Sequence, residues 1–131
     1  MNLPISGERL TATPELEDGF FRFTTIVPSA SPCDFGGRGF LNTLDFLTGG
    51  MLTRPTFDTN RNRILSLEDG LSSSIEIGFA MGGITIIRNN ATTATSDIAI
   101  GNLANGQTTD PPTAKGAAGL RGRITWKEFS Q

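Results

Sequence analysis

Glycine and proline interrupt the apolar sequence along the whole chain. The 16 glycines and 7 prolines among 131 residues leave apolar runs that are too short for long helices. Short runs of this kind suit many strands joined by turns. The length allows one domain with a hydrophobic core and does not by itself indicate a second. We therefore expect residues 1–131 to form a single all-β module.

The charge pattern excludes two classes of partner. The net charge is −2, and the 11 Lys and Arg residues are scattered singly. A protein that binds nucleic acid usually presents a basic stripe to successive phosphates, so we expect no nucleic-acid partner. No window approaches the roughly 20 apolar residues of a membrane-spanning helix, and the amino terminus does not resemble a signal peptide. We expect no membrane insertion.

The residues that carry most catalytic chemistry are scarce. The chain has no histidine and one cysteine, which removes the commonest general base and the usual transition-metal ligands. Four carboxylates lie in or near predicted turns, but nothing in their spacing brings two of them to one site. They are Asp34, Asp45, Glu76 and Asp97. We predict that the chain is not an enzyme.

Strand-forming segments dominate the first half of the chain. Residues 18–27 combine a turn opener with β-branched and aromatic residues, and residues 40–46 form a second such run. Between them, residues 29–39 are crowded with turn formers and predict a surface loop. The second strand runs into a tight turn at Thr48-Gly49-Gly50. The pattern predicts that residues 40–52 form a hairpin.

The second half of the chain is less regular. Two β-rich runs within residues 75–87 flank Gly82-Gly83, which predicts a hairpin or a bend between strands. Residues 88–119 are rich in Asn, Thr, Ala, Gly and Pro, and we expect a long irregular insertion or linker there. Residues 120–129 predict a closing strand. Its Trp126 is expected to pack in a core rather than to stack on a ligand.

Residues 58–69 carry the spacing of an EF-hand-type calcium loop. Such a loop supplies oxygen ligands from positions 1, 3, 5, 9 and 12 and a backbone carbonyl from position 7. Here the candidate ligands are Asp58, Asn60, Asn62, Ile64, Ser66 and Asp69. Alternate residues are required because every second residue of a tight loop points inward. The spacing predicts a Ca²⁺ site.

The same loop departs from the calcium pattern in two ways. Arg61 and Arg63 occupy positions where glycine usually lets the loop turn, while Asn60 and Asn62 replace carboxylates. The guanidinium groups offset part of the negative charge that attracts a cation. The alternative interpretation is a loop that local Asx-type hydrogen bonds hold in shape without a metal.

Several segments, taken in order, resemble the carboxyl-terminal part of the PilC/PilY family of type IV pilus tip adhesins and biogenesis proteins. They are G-E-R-L (7–10), F-T-T-I-V-P-S-x-S-P-C-x-F-G-G (23–37), G-F-L-N-T-L-D-F-L-T-G-G (39–50), F-D-T-N (57–60) and R-G-R-I-T-W-K-E-F (121–129). The resemblance implies the last blades of a modified quinoprotein-like β-propeller. In such blades L-D-x-x-T-G marks a hairpin whose Asp and Thr brace the turn.

The resemblance also implies a role. It points to a non-enzymatic structural and adhesive module at a pilus tip or bacterial cell surface, in contact with minor pilins and with a host or abiotic surface. The family's F-D-x-N-x-D-G loop, which resembles a calcium site linked to pilus extension and retraction, aligns with Phe57 onward. Two hairpins and a tail supply fewer than two blades. We therefore expect either a fragment or a chain that neighbouring chains complete.

Other interpretations stay open. Cys33 has no internal disulfide partner, so it is either a small buried hydrophobe or the partner of a cysteine in another segment or chain. The alternative function is a stand-alone calcium-binding β domain that mediates protein interactions. A third, an enzyme fragment of the quinoprotein type, rests on L-D-x-x-T-G alone.

Overall fold

The structure, a computed structural model, describes residues 3, 5–17, 19–31, 37–87, 96–110 and 112–114. These residues form two antiparallel sheets, which confirms the all-β class. The strands are β1 (Arg9–Leu10), β2 (Glu15–Glu17), β3 (Phe20–Val27), β4 (Arg38–Asp45), β5 (Ser74–Gly78), β6 (Met81–Ile87), β7 (Ser96–Leu103), β8 (Thr108–Thr109) and β9 (Pro112–Ala114); a short 3-10 helix spans Leu67–Asp69. Among the described residues, no helix has the length and apolar character needed to cross a membrane.

The first sheet is built on the long pair β3 and β4. Its order is β1-β3-β4-β5, and β2 also pairs with β3. The register of β3 with β4 runs from Phe20 opposite Asp45 to Val27 opposite Arg38. The aromatic and β-branched residues that predicted both strands form the core here, where Phe20 and Leu41 are fully buried. Both predicted strands of this pair are confirmed.

The predicted hairpin of residues 40–52 is wrong in its second strand. The edge of β4 is occupied by β5, with Leu41 opposite Ile75 and Asn42 opposite Ser74. The turn itself is braced as expected, because the Asp45 carboxylate accepts the Thr48 N–H at 2.8 Å and the Thr48 hydroxyl at 3.0 Å. The chain therefore turns after β4 and leaves the sheet, since β5 has taken the place of a returning strand.

The glycine pair at 82–83 is not the turn that the sequence predicts. It lies inside β6, where the register against β7 shifts between Met81 and Ile84. The change of direction comes earlier, at Gly78 with φ 87°, and it carries the chain from the first sheet to the second. Glycine pairs serve bulges as well as turns, which is why the sequence pattern misplaced the bend.

The second sheet corrects the expectation of an irregular insertion at residues 88–119. Its order is β6-β7-β8, and β9 also pairs with β7. In β7 the usual alternation is inverted, because Ala99 is fully buried whereas Ile98 and Ile100 are each 38% exposed. The strand was missed because its inner face carries small and polar residues, whereas the usual signal of a strand is large apolar residues at alternate positions. Residues 88–95, 111 and 115–119 lie outside the described residues.

The two sheets meet at a polar contact. The Thr11 hydroxyl lies 2.9 Å from the Thr24 hydroxyl in β3 and donates to the Met81 carbonyl in β6 at 3.0 Å. Thr24 and Met81 are both buried. The sheets do not close on each other within the part of the chain that the structure describes, so the propeller blades stay a prediction. Cys33 and the predicted closing strand with Trp126 lie outside that part.

Candidate functional site

The candidate calcium loop, residues 58–69, lies in the connection between β4 and β5. The residues before it are anchored in the core, since Thr56 and Phe57 are each only 2% exposed. The Thr56 hydroxyl donates to the Ser72 carbonyl at 2.6 Å and so ties the approach to the exit. The loop therefore projects from a fixed base.

Asp58, at the first ligand position, is completely buried. Its Oδ1 accepts the Asn62 N–H at 3.1 Å, and its Oδ2 accepts the Arg63 N–H at 2.6 Å. Hydrogen bonds from backbone N–H groups to an ionised carboxylate offset the cost of burying its charge. Asp58 thus draws the middle of the loop back onto its start.

Asp69, at the twelfth position, closes the loop from the other end. Its Oδ1 accepts the Thr59 N–H at 3.0 Å and its Oδ2 accepts the Ser66 N–H at 2.9 Å. Burial raises the pKa of Asp69, but the hydrogen bonds from Ser66, Asn60 and Thr59 outweigh burial and hold that pKa below its ordinary value. Asp69 is therefore held as a carboxylate that organises the loop.

The two asparagines make the local hydrogen bonds of the alternative interpretation. Asn60 Oδ1 accepts the Asn62 N–H at 3.0 Å, and Asn62 Oδ1 accepts the Ile64 N–H at 2.7 Å. These are Asx turns, in which a side-chain oxygen replaces a backbone acceptor two residues away. The loop is consequently stabilised by its own groups.

Arg61 and Arg63 adopt the backbone conformation that glycine usually supplies. Their φ angles are 58° and 66°, in the left-handed region that L side chains rarely enter. They stand at the fourth and sixth positions of the loop, and the sixth is where the calcium pattern has its glycine. The backbone therefore makes the turn that the pattern requires, in spite of the two side chains.

The donor set of the loop fits a hard cation better than a soft one. Two carboxylates, two amides, one hydroxyl and one backbone carbonyl supply only oxygen, which Ca²⁺ prefers and Zn²⁺ does not. An ionised carboxylate has about four acceptor sites, so the two hydrogen bonds to Asp58 leave lone pairs for a metal. Asp69 already accepts from the Thr59 N–H and hydroxyl, the Asn60 N–H and the Ser66 N–H, so a metal would have to replace some of these donors. In the described residues no group of three or more His, Cys, Asp or Glu side chains is placed to hold a metal ion.

A second feature escaped the sequence analysis. Phe21, Leu44, Asp45, Phe46 and Gly49 line a concavity of about 430 Å³ beside the turn after β4. Next to it Leu47 is 80% exposed, and Leu16, which pairs with Phe21 across the strands, is 62% exposed. The sequence predicted β3 and β4 from their aromatic and β-branched residues. That pattern does not indicate which apolar side chains stay uncovered beside the turn.

The sequence analysis expected no two of its four carboxylates to share a site, and the three described ones lie on separate elements. Asp45 accepts hydrogen bonds within the turn after β4, and those from the N–H and then the hydroxyl of Thr48 lower its pKa. Glu76 lies on β5, 2.7 Å from Arg38, whereas Asp97 is buried in the other sheet. Asp34 lies outside the described residues.

Comparison does not add an identity to these sites. Comparing the chain with protein-family models, with curated proteins and with solved structures gives no match.

Proposed function

We propose that the chain is a non-enzymatic structural and adhesive module of a type IV pilus tip, of the PilC/PilY kind, which supports pilus biogenesis and surface attachment. The observation that carries the proposal is the apolar concavity lined by Phe21, Leu44 and Phe46, together with the exposure of Leu47, the residue that follows Phe46 in the chain. Single exposed apolar residues are ordinary, but an apolar concavity surrounded by more of them marks contact with another chain. The lining residues of β4 and its turn belong to the segment that resembles the family.

The sheet edges support the same partner class. Within the described residues, β5 pairs only with β4 and β6 pairs only with β7, so each leaves one side available. Open edges of this kind are completed by strands from elsewhere. The remainder of the propeller or a neighbouring pilus component, such as a minor pilin, is the partner that would cover an edge and the concavity together.

The test compares exposed apolar residues at the concavity with one outside it. Phe46→Ser combined with Leu47→Ser should weaken binding to purified minor pilins, or to the separately expressed remainder of the propeller, by tenfold or more, because buried apolar anchors dominate such interfaces. Leu71→Ser is the control, since Leu71 is also half-exposed but lies outside the concavity. Equal losses in the two variants would remove the concavity from the interface.

We also propose that residues 58–69 bind Ca²⁺ and that calcium modulates the module. The supporting observation is the left-handed backbone of Arg61 and Arg63, which gives the loop the turns that calcium coordination needs. The alternative, a stand-alone calcium-binding β domain, shares this loop. It differs in that the isolated chain would fold by itself.

A thermal unfolding scan separates these possibilities. In excess calcium the melting temperature should exceed that in excess chelator, because a ligand bound only by the folded state stabilises it. Asp58→Ala should abolish the difference, whereas Asp110→Asn, outside the loop, should keep it. A cooperative melt that ignores calcium would leave the loop as a hydrogen-bonded structure alone. The absence of a cooperative melt would show that the chain needs the rest of its propeller.

A further inference from the structure

The tip of the candidate loop, residues 61–67, presents both cationic and aliphatic side chains to solvent. Leu67 is 84% exposed and Ile64 is 53% exposed. Arg61 and Arg63 are exposed beside them. Single exposed apolar residues are ordinary, but two exposed aliphatic side chains and two exposed guanidinium groups within seven positions make a mixed surface with its own chemistry.

The loop holds this tip in a defined shape. The Asp58 carboxylate accepts the N–H groups of Asn62 and Arg63, and the Asp69 carboxylate accepts the N–H of Ser66. All three N–H groups belong to the tip. Arg61 and Arg63 stand at positive φ, where glycine would fit without steric cost. Arginine at positions whose backbone conformation favours glycine indicates that the arginine side chains have a function.

We propose that residues 61–67 form a docking surface for an anionic lipid bilayer. The guanidinium groups of Arg61 and Arg63 match lipid phosphates, with which arginine forms paired hydrogen bonds. Ile64 and Leu67 enter the boundary between headgroups and acyl chains, as the apolar residues of interfacial segments do. Residues 61–67 contain no acidic residue, and one exposed acid, Glu68, follows them, so the outward charge of the tip favours an anionic surface.

A lipid surface suits the tip better than an acidic protein does. An acidic peptide would pair with the two arginines and leave Leu67 in water. Fluid hydrocarbon accepts a projecting aliphatic side chain without a matched groove. The proposal depends neither on the pilus assignment nor on calcium. Arg61, Arg63 and Leu67 are not candidate metal ligands, and Ile64 would offer a metal its backbone carbonyl but a bilayer its side chain.

Vesicle co-sedimentation of the full chain, in chelator, tests the proposal. The chain should bind vesicles that contain phosphatidylglycerol and should not bind vesicles of phosphatidylcholine alone, and added salt should weaken the binding. Arg61→Gly and Arg63→Gly, which suit the backbone, should each lower the partition about fivefold. Leu67→Ser should lower it about tenfold.

Matched changes elsewhere in the chain make the test decisive. Arg9→Gln and Leu10→Ser remove an exposed cation and an exposed leucine, 52% accessible, from β1; both should leave the partition unchanged. Equal losses in the β1 and loop variants, or equal binding to both kinds of vesicle, would overturn the proposal. Binding to polyglutamate without binding to vesicles would overturn it in favour of an acidic protein partner. The assay contains chelator, so a failure to bind vesicles would say nothing against the proposed calcium site.

Discussion

Thr59 and Asp69 join the two ends of the candidate loop across ten residues of sequence. The Thr59 N–H donates to Asp69 Oδ1 at 3.0 Å, and the Thr59 hydroxyl lies 3.2 Å from the Asp69 carbonyl. The same carboxylate accepts the Ser66 N–H, which completes a capping box on the short 3-10 helix. One side chain thus fixes both the start and the end of the loop.

Asp69→Ala should destabilise the fold by about 3 kcal/mol, because several backbone N–H groups would lose a charged acceptor. Urea unfolding followed by circular dichroism measures the change. Glu68→Gln is the control, since Glu68 is the exposed neighbour of Asp69 and should have little effect. A loss of similar size in both variants would mean that the loop is held by something other than the Asp69 carboxylate.

Acid should weaken the fold through the same carboxylate. The folded-state pKa of Asp69 lies below its ordinary value of 3.8, so its stabilising effect is complete above that value and is lost as the pH falls through the folded pKa. The melting temperature should therefore fall as the pH is lowered from neutral to below 3.8. Asp69→Asn should flatten this dependence more than Asp110→Asn does. A curve with the same slope in both variants would contradict the role given to Asp69.

Gly39→Ala should lower stability by about 2 kcal/mol or more. A methyl group on Gly39 would overlap the backbone carbonyl of Phe79, at the bend where the chain passes from one sheet to the other. Backbone cannot yield there as a flexible side chain would. Gly82→Ala is the matched control, because the nearest atom to an added methyl group lies 4.0 Å away. Thermal melts of the two variants should separate clearly.

Restoring the calcium pattern should strengthen calcium binding. Asn62→Asp together with Arg63→Gly adds a carboxylate, removes a cation and gives the positive φ of residue 63 to the residue that adopts it freely. The calcium-dependent rise in melting temperature should be larger than in the parent chain, as measured by calorimetry with and without chelator. A double variant that stays indifferent to calcium would show that the loop's oxygens do not converge.

The sequence predicted what depends on local chemistry. The β3 and β4 strands follow from their aromatic and β-branched residues, and the Asp45–Thr48 brace follows from L-D-x-x-T-G. Asn60 and Asn62 also make the Asx turns that the alternative interpretation expected. In each case the partner groups lie within a few residues, so the pattern contains the information.

The sequence could not predict features that depend on contacts between segments far apart in the chain. Whether residues 51–52 or β5 would pair with β4 is decided by two segments far apart in the chain. The strand β7 escaped notice because Ala99 and Gly101 fill its inner face, where Gly101 packs directly against the Met81 side chain. A small residue is needed where a large side chain of another strand packs against it. A search for apolar residues at every second position does not detect such a requirement.

The position of the loop within the β4–β5 connection couples it to folding speed. Strands β4 and β5 can pair only after the chain of residues 46–73 has brought its ends together, and closing a flexible connection costs entropy that slows folding. The hydrogen bonds to Asp58 and Asp69 hold residues 58–69 in a fixed shape. The flexible part of the connection is therefore shorter than the number of residues between the two strands suggests. A change that strengthens or weakens the hydrogen bonds to these two carboxylates should therefore raise or lower the rate at which the first sheet forms.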